Sequence, residues 1–79
     1  MQTTFQIRGE PITLDALLKA VGIASSGAHA KELVTQGAVK VDGEPESRRT
    51  RKLRGGEVVE VPEAGARIRL EADPAFRKD

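Results

Sequence analysis

Five of the seven residues from 48 to 54 are cationic, and this basic run has the composition best suited to binding another molecule. It reads Arg-Arg-Thr-Arg-Lys-Leu-Arg, with no carboxylate inside it to neutralise the charge. Guanidinium groups bind phosphate through paired N–H donors, and clustered cations attract polyanions. The run therefore predicts a phosphate-contacting surface, with nucleic acid as the first candidate partner. The alternative is a solvated charged face without a partner.

Within the basic run, Leu53 is the only apolar residue. On a strand, neighbouring side chains point to opposite faces, so we expect Leu53 to point inward from an irregular strand. Arg49, Arg51 and either Lys52 or Arg54 would then point outward. The candidate contacts from this run are all of its cations: Arg48, Arg49, Arg51, Lys52 and Arg54.

The other residue types capable of chemistry predict no enzyme. His29 is the only histidine and the chain has no cysteine, so we expect no metal site and no cofactor. Glu44 and Glu46 are not expected to form an acid/base pair, because nothing in the sequence indicates burial or a partner that would shift their pKa values. We therefore expect neither catalysis nor a small-molecule substrate.

Length and composition predict one soluble domain. A chain of 79 residues with 38% hydrophobic and 32% charged residues supports a single small core. The lack of cysteine favours a cytoplasmic address, and the first ten residues predict neither a signal peptide nor a membrane span. We expect a monomer. The net charge of +1 conceals a basic middle: residues 19–54 hold eight Lys or Arg against four Asp or Glu, whereas residues 55–79 hold four against six.

Two helices are expected ahead of the basic run. Apolar residues at positions 14, 17, 18 and 21 have helical spacing, with Thr13 as N-cap and Gly22 as stop. Ser25 or Ser26 is expected to cap a second helix whose buried stripe is formed by positions 30, 33 and 34, with Gly37 at its end.

The remaining segments predict strands. Apolar residues alternate at positions 3, 5 and 7, and again at 39 and 41, where Asp42-Gly43 supplies a tight hairpin turn. Pro45 restricts the next strand to an edge. Positions 58–61 and 68–70 form two further strands, and residues 72–79 are expected to be a flexible tail. The predicted fold class is α+β, with two helices packed on a small antiparallel sheet of about four to five strands.

The sequence from residue 14 to residue 61 resembles the S4-type RNA-binding domain, which is named for the fourth protein of the small ribosomal subunit. The matching positions read Leu14-x-x-Leu17, Gly22, Ser26-x-x-x-Ala30-x-x-Leu33-Val34-x-x-Gly37-x-Val39-x-Val41-Asp42-Gly43 and Leu53-x-x-Gly56-x-x-Val59. The short chain and the Ser-Gly pair at 26–27 are similar to the stand-alone bacterial form of the YbcJ type. The resemblance implies an alpha-L RNA-binding motif within one domain, residues 1–71.

This resemblance adds candidate contacts outside the basic run. It implies that Ser26 lies at the front of the second helix, Lys31 on its exposed side and Lys40 on the following strand. Family members usually have Ser-Arg where this chain has Ser26-Gly27, so one family phosphate contact is missing. The free N–H groups of a helix start favour anions, which keeps Gly27 among the candidates. Lys19 and His29 are minor candidates, each with a purely structural alternative.

Together these features predict a non-catalytic protein that binds structured RNA, such as ribosomal or transfer RNA, and associates with the ribosome. Its binding surface is expected to be a basic face formed by the second helix and the following hairpin. The scarcity of aromatic residues argues against stacking of single-stranded bases. Three alternatives remain: a module that docks an acidic protein, a DNA-binding protein, and a small sulfur carrier. The sulfur carrier requires a C-terminal Gly-Gly, whereas the Gly55-Gly56 pair is internal.

Overall fold

The computed structural model describes residues 1–72, which form two α-helices and seven β-strands. In chain order the elements are β1 (Gln2–Ile7), β2 (Ile12–Thr13), α1 (Leu14–Ala20), α2 (Gly27–Thr35), β3 (Lys40–Val41), β4 (Glu44–Pro45), β5 (Lys52–Leu53), β6 (Val58–Val61) and β7 (Ala66–Ala72). A 3-10 turn, Pro62–Ala64, joins β6 to β7. No helix of these 72 residues has the length and hydropathy required to cross a membrane.

Five strands form the main sheet, in the order β1-β7-β6-β3-β4, and β2 and β5 form a separate two-stranded ladder. The expectation of a purely antiparallel sheet is wrong at one edge, because β1 pairs with β7 in parallel, from Gln2↔Arg67 to Ile7↔Ala72. Parallel neighbours require a long connection, and here the rest of the domain supplies it. The predicted α+β class with two helices on a small sheet is confirmed.

The core lies between the two helices and one face of this sheet. Strand alternation points Ile68 and Leu70 of β7 inward, and Arg67 and Arg69 outward. The largest fully buried side chains come from both layers: Leu14, Leu17, Leu18, Leu53, Ile68, Leu70, Val34, Val39, Val59 and Val61. We call the sheet face that points away from the helices the outer face.

Helix ends and turns follow the predicted residues in most cases. Ser26 is the N-cap of α2, and Gly22 and Gly37 have φ angles of +80° and +76° after the two helices. Thr13 occupies the N-cap position of α1 but makes no side-chain cap, because its hydroxyl donates to Asp15 instead. The predicted Asp42-Gly43 turn has positive φ at both residues, and Pro45 lies on an edge strand.

The end of the sheet differs slightly from the expected boundary. Strand β7 runs through Ala72, the first residue of the segment predicted to be a tail. Residues 73–79, the rest of that prediction, lie outside the described residues.

Candidate nucleic-acid interface

The backbone of the basic run is attached to the start of α1. The first N–H groups of a helix have no partner inside the helix. Here the N–H of Leu14 donates to the carbonyl of Arg51, and the N–H of Asp15 donates to the carbonyl of Arg49, both at 2.9 Å. β5 then pairs with β2, which aligns Lys52 with Thr13. The run is therefore held against the helix by bonds that use its main chain and not its side chains.

Glu46 lies at the centre of the turn that leads into the basic run. One carboxylate oxygen, Oε2, accepts the N–H groups of Ser47 (3.0 Å) and Arg48 (3.3 Å). The other oxygen, Oε1, accepts Nη1 of Arg51 at 3.0 Å and lies 3.6 Å from Nη2 of Arg48. Glu46 is only 8% exposed, so this carboxylate binds the turn from inside.

A second carboxylate, on α1, binds the run from the other side. Oδ2 of Asp15 accepts Nη1 of Arg49 at 3.3 Å. Its Oδ1 accepts the hydroxyl of Thr13 at 2.6 Å and the N–H of Ala16 at 2.9 Å. Asp15 lies in the first turn of α1, where the helix dipole favours a negative charge, and it also pairs with the basic run.

Both carboxylates are stabilised in their charged form. A hydrogen bond from Arg51 is the main cause that lowers the pKa of Glu46, and burial opposes it only in part. For Asp15, burial raises the pKa, but hydrogen bonds from Thr13, Ala16 and Arg49 together outweigh it and lower the pKa. At neutral pH, each carboxylate therefore offsets part of the arginine charge.

Three of the five cations of the basic run thus have a carboxylate partner, although the run itself contains no carboxylate. Arg51 is the most enclosed of them, with 35% of its side chain exposed, whereas 73% of the Arg48 side chain is exposed. Lys52 and Arg54 are exposed and have no ion pair within residues 1–72. Leu53 between them is fully buried, as predicted.

The start of α2 is a second place where an anion can bind. Oγ of Ser26 accepts the N–H of His29 at 3.1 Å, and Nδ1 of His29 accepts the N–H of Ser25 at 3.1 Å. This arrangement resembles a capping box, in which two residues satisfy N–H groups reciprocally. His29 is thus a capping residue, through its main-chain N–H and through Nδ1 of its ring. Among the described residues, the N–H groups of Gly27 and Ala28 have no acceptor.

The structure separates these two places. The basic run is attached to the first turn of α1, whereas α2 begins after its last turn, and seven helical residues span about 10 Å. Lys31 is exposed on α2, and Lys19 is exposed in the last turn of α1. Among the described contacts, no hydrogen bond or ion pair joins the start of α2 to the basic run.

Lys40 lies apart from the other predicted contacts. It alternates with the buried Val39 and Val41, and its strand partner is Glu60, which is in turn opposite Arg67. Lys40 therefore faces the outer side of the sheet, away from the helices. A shallow cleft of about 430 Å³ lies on this side, lined by Gln2, Thr3, Thr4, Val58, Arg67 and Arg69.

Sequence analysis missed Glu46 and Asp15 as parts of the site. One signal was present: Glu46 precedes Arg48 by two positions and Arg51 by five, which suits a turn that wraps around its own carboxylate. Asp15 offered no local signal, because it lies 34 positions before Arg49. Within the described part of the chain, no cluster of three His, Cys, Asp or Glu residues has the arrangement of a metal site.

Comparison with known proteins gives one consistent family. The family model of the S4 domain matches residues 5–69. The chain is 39% identical over 66 residues to a Bacillus subtilis protein named "Probable ribosome maturation protein RlbA", covering 84% of this chain and 93% of that protein. It is 42% identical over 57 residues to an Escherichia coli protein named "Putative RNA-binding protein YbcJ", covering 71% and 81%.

Proposed function

This chain belongs to the S4 domain family, and we propose that it binds structured RNA, with the basic run as its main contact surface and the start of α2 as a second. The names of two relatives, one an RNA-binding protein and the other a ribosome maturation protein, support RNA as the partner and ribosomal RNA as its class. The protein acts as a monomer in the cytoplasm, without catalysis or cofactor.

The observation that carries this proposal is the fixed conformation of the basic run. A solvated charged face requires no buried carboxylate, yet Glu46 is 8% exposed and holds two main-chain N–H groups and Arg51. Burying a charge is costly unless it is well paired. Such an arrangement is typical of a surface that must present its cations in one geometry, as the recognition of a phosphate pattern requires.

The aromatic residues favour folded RNA over single strands. Single-strand binders stack bases on exposed aromatic side chains. Phe5 packs against the hydrophobic core, and Phe76 is the only other aromatic residue apart from His29. Without a stacking platform on the described surface, recognition depends on the shape and phosphate spacing of the RNA.

We would test the proposal with deproteinised bacterial ribosomal RNA, a DNA duplex and a single-stranded RNA as competing ligands. The variant removes the two unpaired cations, Lys52→Ala with Arg54→Ala. Two phosphate contacts of about 1 kcal/mol each correspond to an affinity loss of about 30-fold. The matched control, Arg67→Ala with Arg69→Ala, removes the same charge from the outer face and should have less than a third of that effect.

Two results would contradict the proposal. Equal losses for the two double variants would mean that total charge, not the basic run, determines binding. Equal affinity for DNA and ribosomal RNA would remove the preference for RNA.

The alternative of a module that docks an acidic protein predicts a different result. Its partner should remain bound to the immobilised protein after ribonuclease treatment, whereas an RNA-dependent assembly should be released.

A further inference from the structure

We propose that Glu46 is a positioning residue for RNA binding: its buried carboxylate fixes residues 46–51 so that the cations after them are presented in one geometry. A negative charge beside an RNA-binding surface should ordinarily weaken binding. We infer the opposite effect here. This inference rests on the proposed RNA-binding function and extends it to a residue that is itself shielded from the ligand.

The contacts of Glu46 determine the path of the turn. Its own N–H donates to the carbonyl of Val39, which attaches the turn to the start of β3. Its carboxylate accepts the next two main-chain N–H groups, those of Ser47 and Arg48, and the guanidinium of Arg51. The turn is closed by the N–H of Arg51, which donates to the carbonyl of Arg48 at 3.2 Å. The Glu46 side chain thus contacts three of the five residues that follow it in the turn, Ser47, Arg48 and Arg51.

The same turn determines where the unpaired cations begin. The carbonyls of Arg49 and Arg51 point at the first N–H groups of α1, and Lys52 follows at once in β5. Without the Glu46 carboxylate, Arg51 would lose its partner, and two N–H groups in the turn would lose their acceptor. The turn would then sample several conformations, and RNA binding would have to select one of them.

A second interpretation of the same contacts predicts the opposite sign. Two consecutive N–H groups and a guanidinium around a carboxylate are also the groups that hold a phosphate. In that view Glu46 occupies an anion site, and RNA displaces it. Burial argues against displacement, because Glu46 is 8% exposed and a displaced carboxylate would lose its compensating partners.

The decisive variant is Glu46→Gln, with Glu44→Gln as the matched control. Both remove one negative charge, but Glu44 is exposed on the edge strand β4 and makes no ion pair within residues 1–72. Glu46→Gln should weaken binding to deproteinised bacterial ribosomal RNA by about tenfold, because one amide oxygen cannot replace both carboxylate oxygens. Glu44→Gln should bind as well as wild type or slightly more tightly.

A double-mutant cycle with Arg51→Ala separates positioning from a general loss of folding. Because Glu46 acts in part through Arg51, Glu46→Gln should cost less RNA affinity in the Arg51→Ala background than in wild type, and the remaining loss reflects the N–H groups of Ser47 and Arg48. A loss caused by unfolding would instead add to the loss from Arg51→Ala. Affinities should be corrected for the folded fraction of each variant, measured by circular dichroism in the binding buffer.

The outcomes distinguish this inference from the function on which it rests. Weaker binding by Glu46→Gln, with a normal Glu44→Gln and a non-additive cycle, would support it. Unchanged or tighter binding by Glu46→Gln, while wild type still prefers ribosomal RNA, would overturn the positioning role alone. A wild-type protein with no affinity for ribosomal RNA would overturn both.

Discussion

At the scale of single residues, Glu46 makes the stability of the fold depend on acid. Its pKa is lowered in the folded protein, chiefly by Arg51, below the ordinary value of 4.5. A lowered folded pKa contributes stability that is present above the unfolded pKa and lost as pH falls through the folded one. We therefore expect the free energy of unfolding to fall as pH drops below about 4.5, because the unfolded chain then binds the additional proton.

The measurement is a series of urea titrations from about pH 6 to pH 3, comparing wild type with Glu46→Gln. Wild type should be more stable at the upper end, and the difference should shrink toward the acidic end. Glu44→Gln should retain the part of the acid dependence that Glu46 contributes. Stability curves of wild type and Glu46→Gln that stay parallel across the range would contradict the assigned role of this carboxylate.

Ser26 allows a second prediction at this scale. Its hydroxyl oxygen accepts the N–H of His29, so Ser26→Ala should destabilise the protein by about 1 kcal/mol. In a domain of this size, that change lowers the melting temperature by about 4–8 °C. Ser25→Ala is the comparison, because it retains the main-chain N–H that donates to Nδ1 of His29 at 3.1 Å and removes only the longer hydroxyl contact at 3.4 Å, so its effect should be smaller. Equal melting temperatures for the two variants would mean that the cap contributes nothing.

At the scale of the elements, the turn from β5 to β6 depends on a close approach to β7. A Cβ on Gly55 would lie 2.8 Å from the main-chain N of Ala72, and its φ is +119°. Gly56 also has a positive φ, +92°, but a Cβ there meets no atom within 4 Å. The neighbouring N–H groups of Arg54 and Gly55 donate to the carboxylate of Glu57, so the turn and the last cation of the basic run form one unit.

Gly55→Ala should therefore cost more than Gly56→Ala. Backbone strain alone accounts for about 1–2 kcal/mol at each position. Overpacking against Ala72 should add about 1–3 kcal/mol at Gly55 only. Chemical denaturation of the two variants tests this, and RNA affinity should fall with Gly55→Ala because Arg54 is displaced. If the Gly55 variant were as stable as the Gly56 variant, β7 could shift away from the added Cβ without lowering the free energy of unfolding.

Elements with a local signal could be predicted from the sequence, and those defined by distant partners could not. Both helices, the Asp42-Gly43 turn and the strands around β6 and β7 have periodic apolar residues or turn residues within a few positions. The ladder of β2 and β5 has only two residues on each side, so it offers no period. The parallel partner of β1 is β7, which is distant in the sequence. The alternation of residues within one strand shows which face is buried but does not identify the neighbouring strand.

The same distinction holds for the candidate site. The positive charge of the basic run could be predicted from the sequence, and so could the inward orientation of Leu53. The partners of the arginines are not visible, since Asp15 comes from a helix 34 positions away. The position of Lys40 on the outer face requires the sheet order as well as the residue pattern. Composition therefore suggests where charge accumulates, whereas folding decides how much of it remains unpaired.

At the scale of the whole molecule, the small net charge of +1 predicts that local contacts govern salt dependence. If about four phosphates are contacted, log affinity should fall with log salt at a slope of about −3 to −4. Removing Lys52 and Arg54 should make the slope shallower by about 1.4–1.8. The measurement is RNA binding at four or more salt concentrations. An unchanged slope in this variant would place the phosphate contacts elsewhere on the molecule.

The pairing of β1 with β7 determines when the main sheet can be completed during protein synthesis. Gln2 and Arg67 are partners across 65 positions, so the strand that is made early needs one that is made late. Such distant contacts slow folding, because the chain between them must be ordered first. On a translating ribosome, the helices and the basic run emerge while the sheet still lacks its last two strands. The domain can therefore close only after β7 has been made, and until then the basic run lacks the finished sheet beside it.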